Sequence, residues 1–106
     1  EQLINKGNVS RPWLGVSVSD ITEELAAYLQ TDITEGAIIR QVVENSPAQK
    51  AGLRAGDIIL GIDGQKVSGA EDVTTIISKS AVGKKIEIKI LRNGRERTVT
   101  ATLGEK

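Results

Sequence analysis

Histidine and cysteine, the two residue types that most side-chain catalysis relies on, do not occur among the 106 residues. Without an imidazole or a thiolate there is no Ser-His-Asp or Cys-His nucleophile, and most zinc sites are excluded as well. Carboxylates remain, with Asp57 near Asp63 and Asp20 near Glu23 and Glu24 as sets for acid–base work. Both sets have a plainer role. Asp57 and Asp63 stand at turns, and Asp20 to Glu24 have the acidic character of a helix start. The stretch from Gly52 to Gly64 contains neither a GxGxxG pattern nor a Gly-Lys-Ser/Thr ending, so no phosphate loop is expected there. The chemistry that remains belongs to the main chain. In Trp13-Leu14-Gly15-Val16, a glycine lets successive N–H groups turn into one concavity, the way a main-chain nest holds an anion. The same pattern also serves a strand with a bulge, so on these residues alone both readings stand.

The elements that would position such a loop are legible around it. From Val16 to Ser19, apolar and small polar residues alternate as in a half-buried strand. Ser46 is a good N-cap, Pro47 suits the first helical position, and Gly52 followed by Leu53 supplies a left-handed stop with its apolar contact. Gly56-Asp57 re-aims the chain into Ile58-Ile59-Leu60-Gly61-Ile62, a strand apolar enough to be covered on both faces, and Asp63-Gly64 turns it back. Asp20 to Leu29 predicts a helix with Leu25, Tyr28 and Leu29 as a core-facing stripe, and Gly36 to Val43 a further strand. Ser68-Gly69-Ala70-Glu71 is a capping box opening a helix to about Ser80, with Val73, Ile76 and Ile77 apolar. Asn93-Gly94 marks a two-residue hairpin turn. Pairing outward from it sets Ile88 opposite Val99, Ile86 opposite Ala101 and Glu87 opposite Thr100.

Composition narrows the class. The chain length suits one domain with a single core. Lys+Arg and Asp+Glu both number 14, so no net field draws nucleic acid or an acidic membrane surface. Trp13 and Tyr28 are the only aromatics, too few for a base-stacking platform. No apolar run approaches a membrane span, the polar start is not a signal peptide, and a cysteine-free chain is compatible with an oxidising compartment. Neither cofactor nor metal is expected, nor direct membrane insertion.

Taken together, Trp13-Leu14-Gly15-Val16, Ser46-Pro47-Ala48, Ala51-Gly52-Leu53, Gly56-Asp57-Ile58-Ile59-Leu60 and Ile62-Asp63-Gly64 resemble a PDZ domain of the type that follows the protease domain in bacterial HtrA/Deg-family serine proteases. The resemblance covers essentially all of Arg11 to Leu103. It implies an α+β fold, a small antiparallel β-barrel or sandwich flanked by two helices in circularly permuted HtrA-type strand order. Thr98 to Leu103 would then supply the strand beside the loop. Residues 1–10 would be the linker from a protease domain, residues 11–106 the PDZ domain itself, and the location a bacterial periplasm or other extracytoplasmic space.

The same resemblance assigns roles. Trp13, Leu14, Gly15 and Val16 become the loop that binds a peptide's terminal carboxylate, and Val16, Ser17 and Val18 the strand on which the peptide pairs. With Val73 and Ile77 taken for the core, Asp72, Ile76 and Ser80 would face the groove, four residues apart; a shift of one position exchanges Ile76 with Ile77. Arg11 and Arg40 are auxiliary candidates, for the carboxylate or for a neighbouring domain. Many animal PDZ domains carry a histidine at the first groove position of this helix, and no such preference transfers here. The implied ligands are hydrophobic C-termini of unfolded or misfolded proteins, with the protease domain and oligomer subunits as neighbours. Other readings are a PDZ domain of a C-terminal processing or intramembrane protease, or an assembly domain whose groove stays unused. The fragment itself is expected not to be an enzyme.

Overall fold

The Asn93-Gly94 turn sets the largest piece of the architecture. In the computed structural model, which describes residues 12–28 and 35–105, Asn93 and Gly94 have φ of 52° and 77°, the paired left-handed conformation of a tight hairpin. The hairpin joins β6 (Lys85–Arg92) to β7 (Arg95–Thr102). Ile88 lies opposite Val99, Ile86 opposite Ala101 and Glu87 opposite Thr100, the register expected from the sequence. Ile86, Ile88 and Ile90 are fully buried, so one face of β6 closes the core and the other meets water.

The remaining elements are β1 (Pro12–Trp13), β2 (Val16–Asp20), α1 (Glu23–Tyr28), β3 (Ala37–Val42), α2 (Pro47–Ala51), β4 (Ile58–Ile62), β5 (Gln65–Lys66), α3 (Ala70–Lys79) and β8 (Gly104–Glu105). The main sheet runs β2-β3-β4-β6-β7, with β5 folded back on β4 and every pairing antiparallel. Its core joins Leu14, Ile39, Ile59, Ile62, Val67, Val73, Ile77 and the inner face of β6. Asp63 and Gly64 form the turn expected after β4, with φ of 51° and 80°.

The α+β architecture agrees with expectation, with differences in detail. Among the described residues the sheet is open, with β2 and β7 as its edges, rather than a closed barrel, and the short helix α2 read from Ser46 to Gly52 stands beside the two expected flanking helices. The strand beside the loop is β8, which pairs Glu105 with Pro12 and Gly104 with Trp13. Thr98 to Thr102 instead continues the hairpin, because its register with β6 buries Ala101, and Leu103 is buried just beyond it with its N donating to Lys84 O. Tyr28 is 82% exposed, not core. Helix α1 is only 6 residues long and turns Ala26, with half-buried Leu25, onto a satellite cluster with Ile21, Ile38 and Ile58. Leu29 and residues 1–11 lie outside the described residues. No helix among the described residues is long and apolar enough to cross a membrane.

Candidate functional site

Helix α2 holds the Leu14–Gly15 loop in place. Ser46 caps this helix, its Oγ accepting from Gln49 N at 3.1 Å, and Pro47 occupies the first turn. Gly52, at φ 94°, ends it: Gly52 N donates to Gln49 O and Leu53 N to Ala48 O, both at 3.0 Å. From this short rigid element, Ala48 N donates to Leu14 O at 2.9 Å, while Val43 N donates to Gly15 O at 2.8 Å. Both loop carbonyls are thereby fixed and turned inward.

The amides are in the opposite condition. Leu14 and Gly15 are buried, yet neither donates a hydrogen bond among the described residues. Buried N–H groups nearly always have a partner, and leaving one without costs about 1–3 kcal/mol. Two adjacent buried donors beside an open cavity therefore suit an acceptor that arrives with a ligand. Val16 extends the set. It lies opposite Val42, and the Val43–Gly15 bond flanks that pair, so the N–H and C=O of Val16 point to the free edge of the sheet. Among the described residues, β2 pairs with β3 alone.

That free edge borders a cavity of about 350 Å³. Leu14, Gly15, Val16 and Val18 form one wall, Val73, Thr74, Ile77 and Ser78 of α3 the other, and Pro12 and Trp13 close one end. The pocket is mainly apolar, with two hydroxyl-bearing side chains on an exposed rim.

Here the expected helix face requires correction. Asp72, Ile76 and Ser80 do not line the cavity. Asp72 Oδ2 instead accepts from Ser68 N at 2.8 Å, Ser80 Oγ donates to Ile76 O at 2.9 Å, and Ile76 is half-buried against the core. Core and groove are not opposite faces of α3. The helix lies across a hollow, so Val73 and Ile77 cover the core and line the groove at once, and Thr74 and Ser78 follow them at the rim. The N-cap is Gly69 rather than Ser68, without a side-chain cap of its own. The first helical amide, Ala70 N, donates to Asp20 Oδ1 at 2.7 Å.

Of the two auxiliary arginines, Arg40 does not join the site. Arg40 Nη1 approaches Ser19 Oγ at 3.5 Å beside a shallow surface hollow with Leu25 and Tyr28, away from the loop. Arg11 lies outside the described residues.

An ion pair between buried Asp57 and half-buried Arg92, which sequence reading missed, supports α2 from behind. Arg92 Nε donates to Asp57 Oδ1 at 2.8 Å and Nη2 to Oδ2 at 2.6 Å, while Nη2 also donates to Gly52 O at 2.7 Å. Asp57 Oδ2 takes a further bond from Arg54 N at 2.9 Å. Hydrogen bonding to Asp57 raises the Arg92 pKa above its ordinary value. Asp57 is therefore a structural anchor, and among the described residues no group of three or more carboxylates could hold a metal ion.

Among the described residues, a loop whose amides lack a partner, a strand edge without a neighbour and an apolar helix wall stand together, and the PDZ domain family matches residues 12–103 of the chain. The chain belongs to the PDZ domain family. Over 99% of its length it is 41% identical to a "Probable periplasmic serine endoprotease DegP-like" of Halomonas elongata, and over all of it 38% identical to the "Serine protease Do-like HtrA" of Bacillus subtilis. It spans only 22% and 25% of those two proteins, and the segment it shares with them is the one that matches the PDZ domain family here. Among solved structures it is similar to the "HtrA-type protease AlgW with decapeptide", at TM-score 0.84 and 39% identity, over 92% of this chain and 30% of that one. The kinship of this PDZ domain is thus with the HtrA/Deg branch.

Proposed function

We propose that this PDZ domain binds the C-terminal segment of another polypeptide, which adds to β2 as an extra antiparallel strand. The observation that carries the reading is that the amides of the buried residues Leu14 and Gly15, at the head of the β2 edge, donate to no partner among the described residues. A terminal carboxylate supplies the missing acceptor, and charge-assisted bonds of this kind contribute roughly 1.5–3 kcal/mol each. The carboxylate at the start of β2 makes the peptide run antiparallel to it, toward Asp20, pairing along Val16, Ser17 and Val18. The last side chain enters between Leu14, Val16 and Ile77, where burying a Val- or Leu-sized group adds roughly 1.5–3 kcal/mol. Ordering the peptide offsets much of this, so affinity falls near micromolar, about −8 kcal/mol.

The decapeptide named with the AlgW structure supports peptide binding in the same branch. By the same kinship, residues 1–10 link the domain to a serine endoprotease domain. The module works in the periplasm, captures exposed hydrophobic C-termini of unfolded proteins, and either presents them to the protease or regulates it. A library of C-terminally displayed peptides, read against amidated copies of the winners, tests this. Enrichment of Val-, Leu- or Ile-ended sequences that need a free carboxylate is expected, and enrichment indifferent to the terminus contradicts it.

A further inference from the structure

Asp20 stands at the last position of β2, and its carboxylate crosses to the other wall of the groove. Asp20 Oδ1 accepts from Ala70 N at 2.7 Å, a bond between residues 50 apart in sequence. Two further observations mark this contact as built. Gly69 has extended backbone, φ −169°, which any residue adopts, yet a side-chain carbon there would stand 2.7 Å from Asp20 Oδ1. A side chain at this position would push the Asp20 carboxylate aside, so the glycine leaves room for the contact rather than serving a torsion. Helix α3 also lacks an N-cap side chain of its own, so its first turn takes its cap from the opposite wall.

We infer that Asp20 is a positioning residue of the groove: it fastens the start of α3 to the end of the peptide-pairing strand and so sets the spacing of the two walls where a bound chain leaves. The inference rests on the peptide-binding reading above. Helix α3 runs from Ala70, beside Asp20, to Ile77 and Ser78, beside the Leu14–Val16 loop. Releasing Ala70 therefore loosens the half of the groove lined by Val73 and Thr74, which faces Val18. The half that holds the carboxylate and the last side chain keeps its fixings, because Ala48 and Val43 hold the loop independently.

Two N-acetylated peptides separate these halves, Ac-Ala-Val and Ac-Ala-Ala-Val-Ala-Val, titrated by NMR into the wild type, Asp20→Ala and Asp20→Asn. In the wild type the longer peptide should bind at least about tenfold tighter through its added contacts. Asp20→Ala should cut that advantage to about threefold or less while leaving dipeptide affinity within about twofold. Asn caps helices as well as Asp, so Asp20→Asn should retain the wild-type advantage. Thermal midpoints fall for the alanine variant on any structural account, so the length advantage is the deciding readout. The inference is overturned if Asp20→Ala keeps the full advantage, weakens both peptides equally, or is matched by Asp20→Asn. If the wild type binds neither peptide, the peptide-binding reading fails and takes this inference with it.

Discussion

Gly15 rests against Ser46 so closely that a Cβ on the glycine would overlap the serine Cβ and stand 2.8 Å from its Oγ. Ser46 is fully buried and caps α2, so it has no room to give. The loop conformation, the helix cap and the glycine therefore form one packed unit. Gly15 also has φ of 89°, which an L side chain adopts only under strain.

Gly15→Ala should weaken binding of a Val-ended peptide at least about tenfold by tilting the loop amides away from the carboxylate. Gly64→Ala is the matched control. Its φ is 80° but its added carbon meets nothing within 4 Å, so it should cost roughly 1–2 kcal/mol of stability and leave affinity unchanged. Chemical denaturation and peptide titration on both variants separate strain from contact.

Ile77 is 9% exposed and lines the cavity, whereas Ile76 lies outside it. Ile77→Val should therefore lower both stability, by ~0.5–1.5 kcal/mol, and affinity for a Val-ended peptide. Ile76→Val should affect stability less and binding not at all. Thermal midpoints with isothermal titration decide this, and a binding defect confined to Ile76→Val would reverse the assignment of the helix face.

Removing Arg92 strands a carboxylate that is 3% exposed. Arg92→Ala should cost about 3–5 kcal/mol, with Arg92→Lys intermediate because an ammonium cannot reproduce the two-pronged contact with Asp57. Urea unfolding measures it. A loss below about 1 kcal/mol would mean the pair behaves like a surface salt bridge.

Features set by neighbouring residues were legible before folding. Asn93-Gly94 gave the hairpin register because a two-residue turn leaves a single pairing frame, and Ser46 to Leu53 wrote its own helix start and stop. Features set from a distance were not. The cap of α3 comes from Asp20 and the partner of Asp57 from Arg92, 50 and 35 residues away, and neither leaves a local mark. Ile76 and Ile77 are equally apolar, so only the hollow beneath α3, created by its placement across β2, distinguishes them. Tyr28 misled because a helical stripe predicts a buried face only where the helix has something to pack on.

The free carboxylate is the most direct test of the whole account. A Val-ended peptide and its C-terminal amide, titrated into this domain under the same conditions, differ only in the acceptor offered to the amides of Leu14, Gly15 and Val16. Affinity for the acid should exceed that for the amide at least about tenfold, roughly 1.4 kcal/mol. Equal binding of the two would contradict the assignment of the loop.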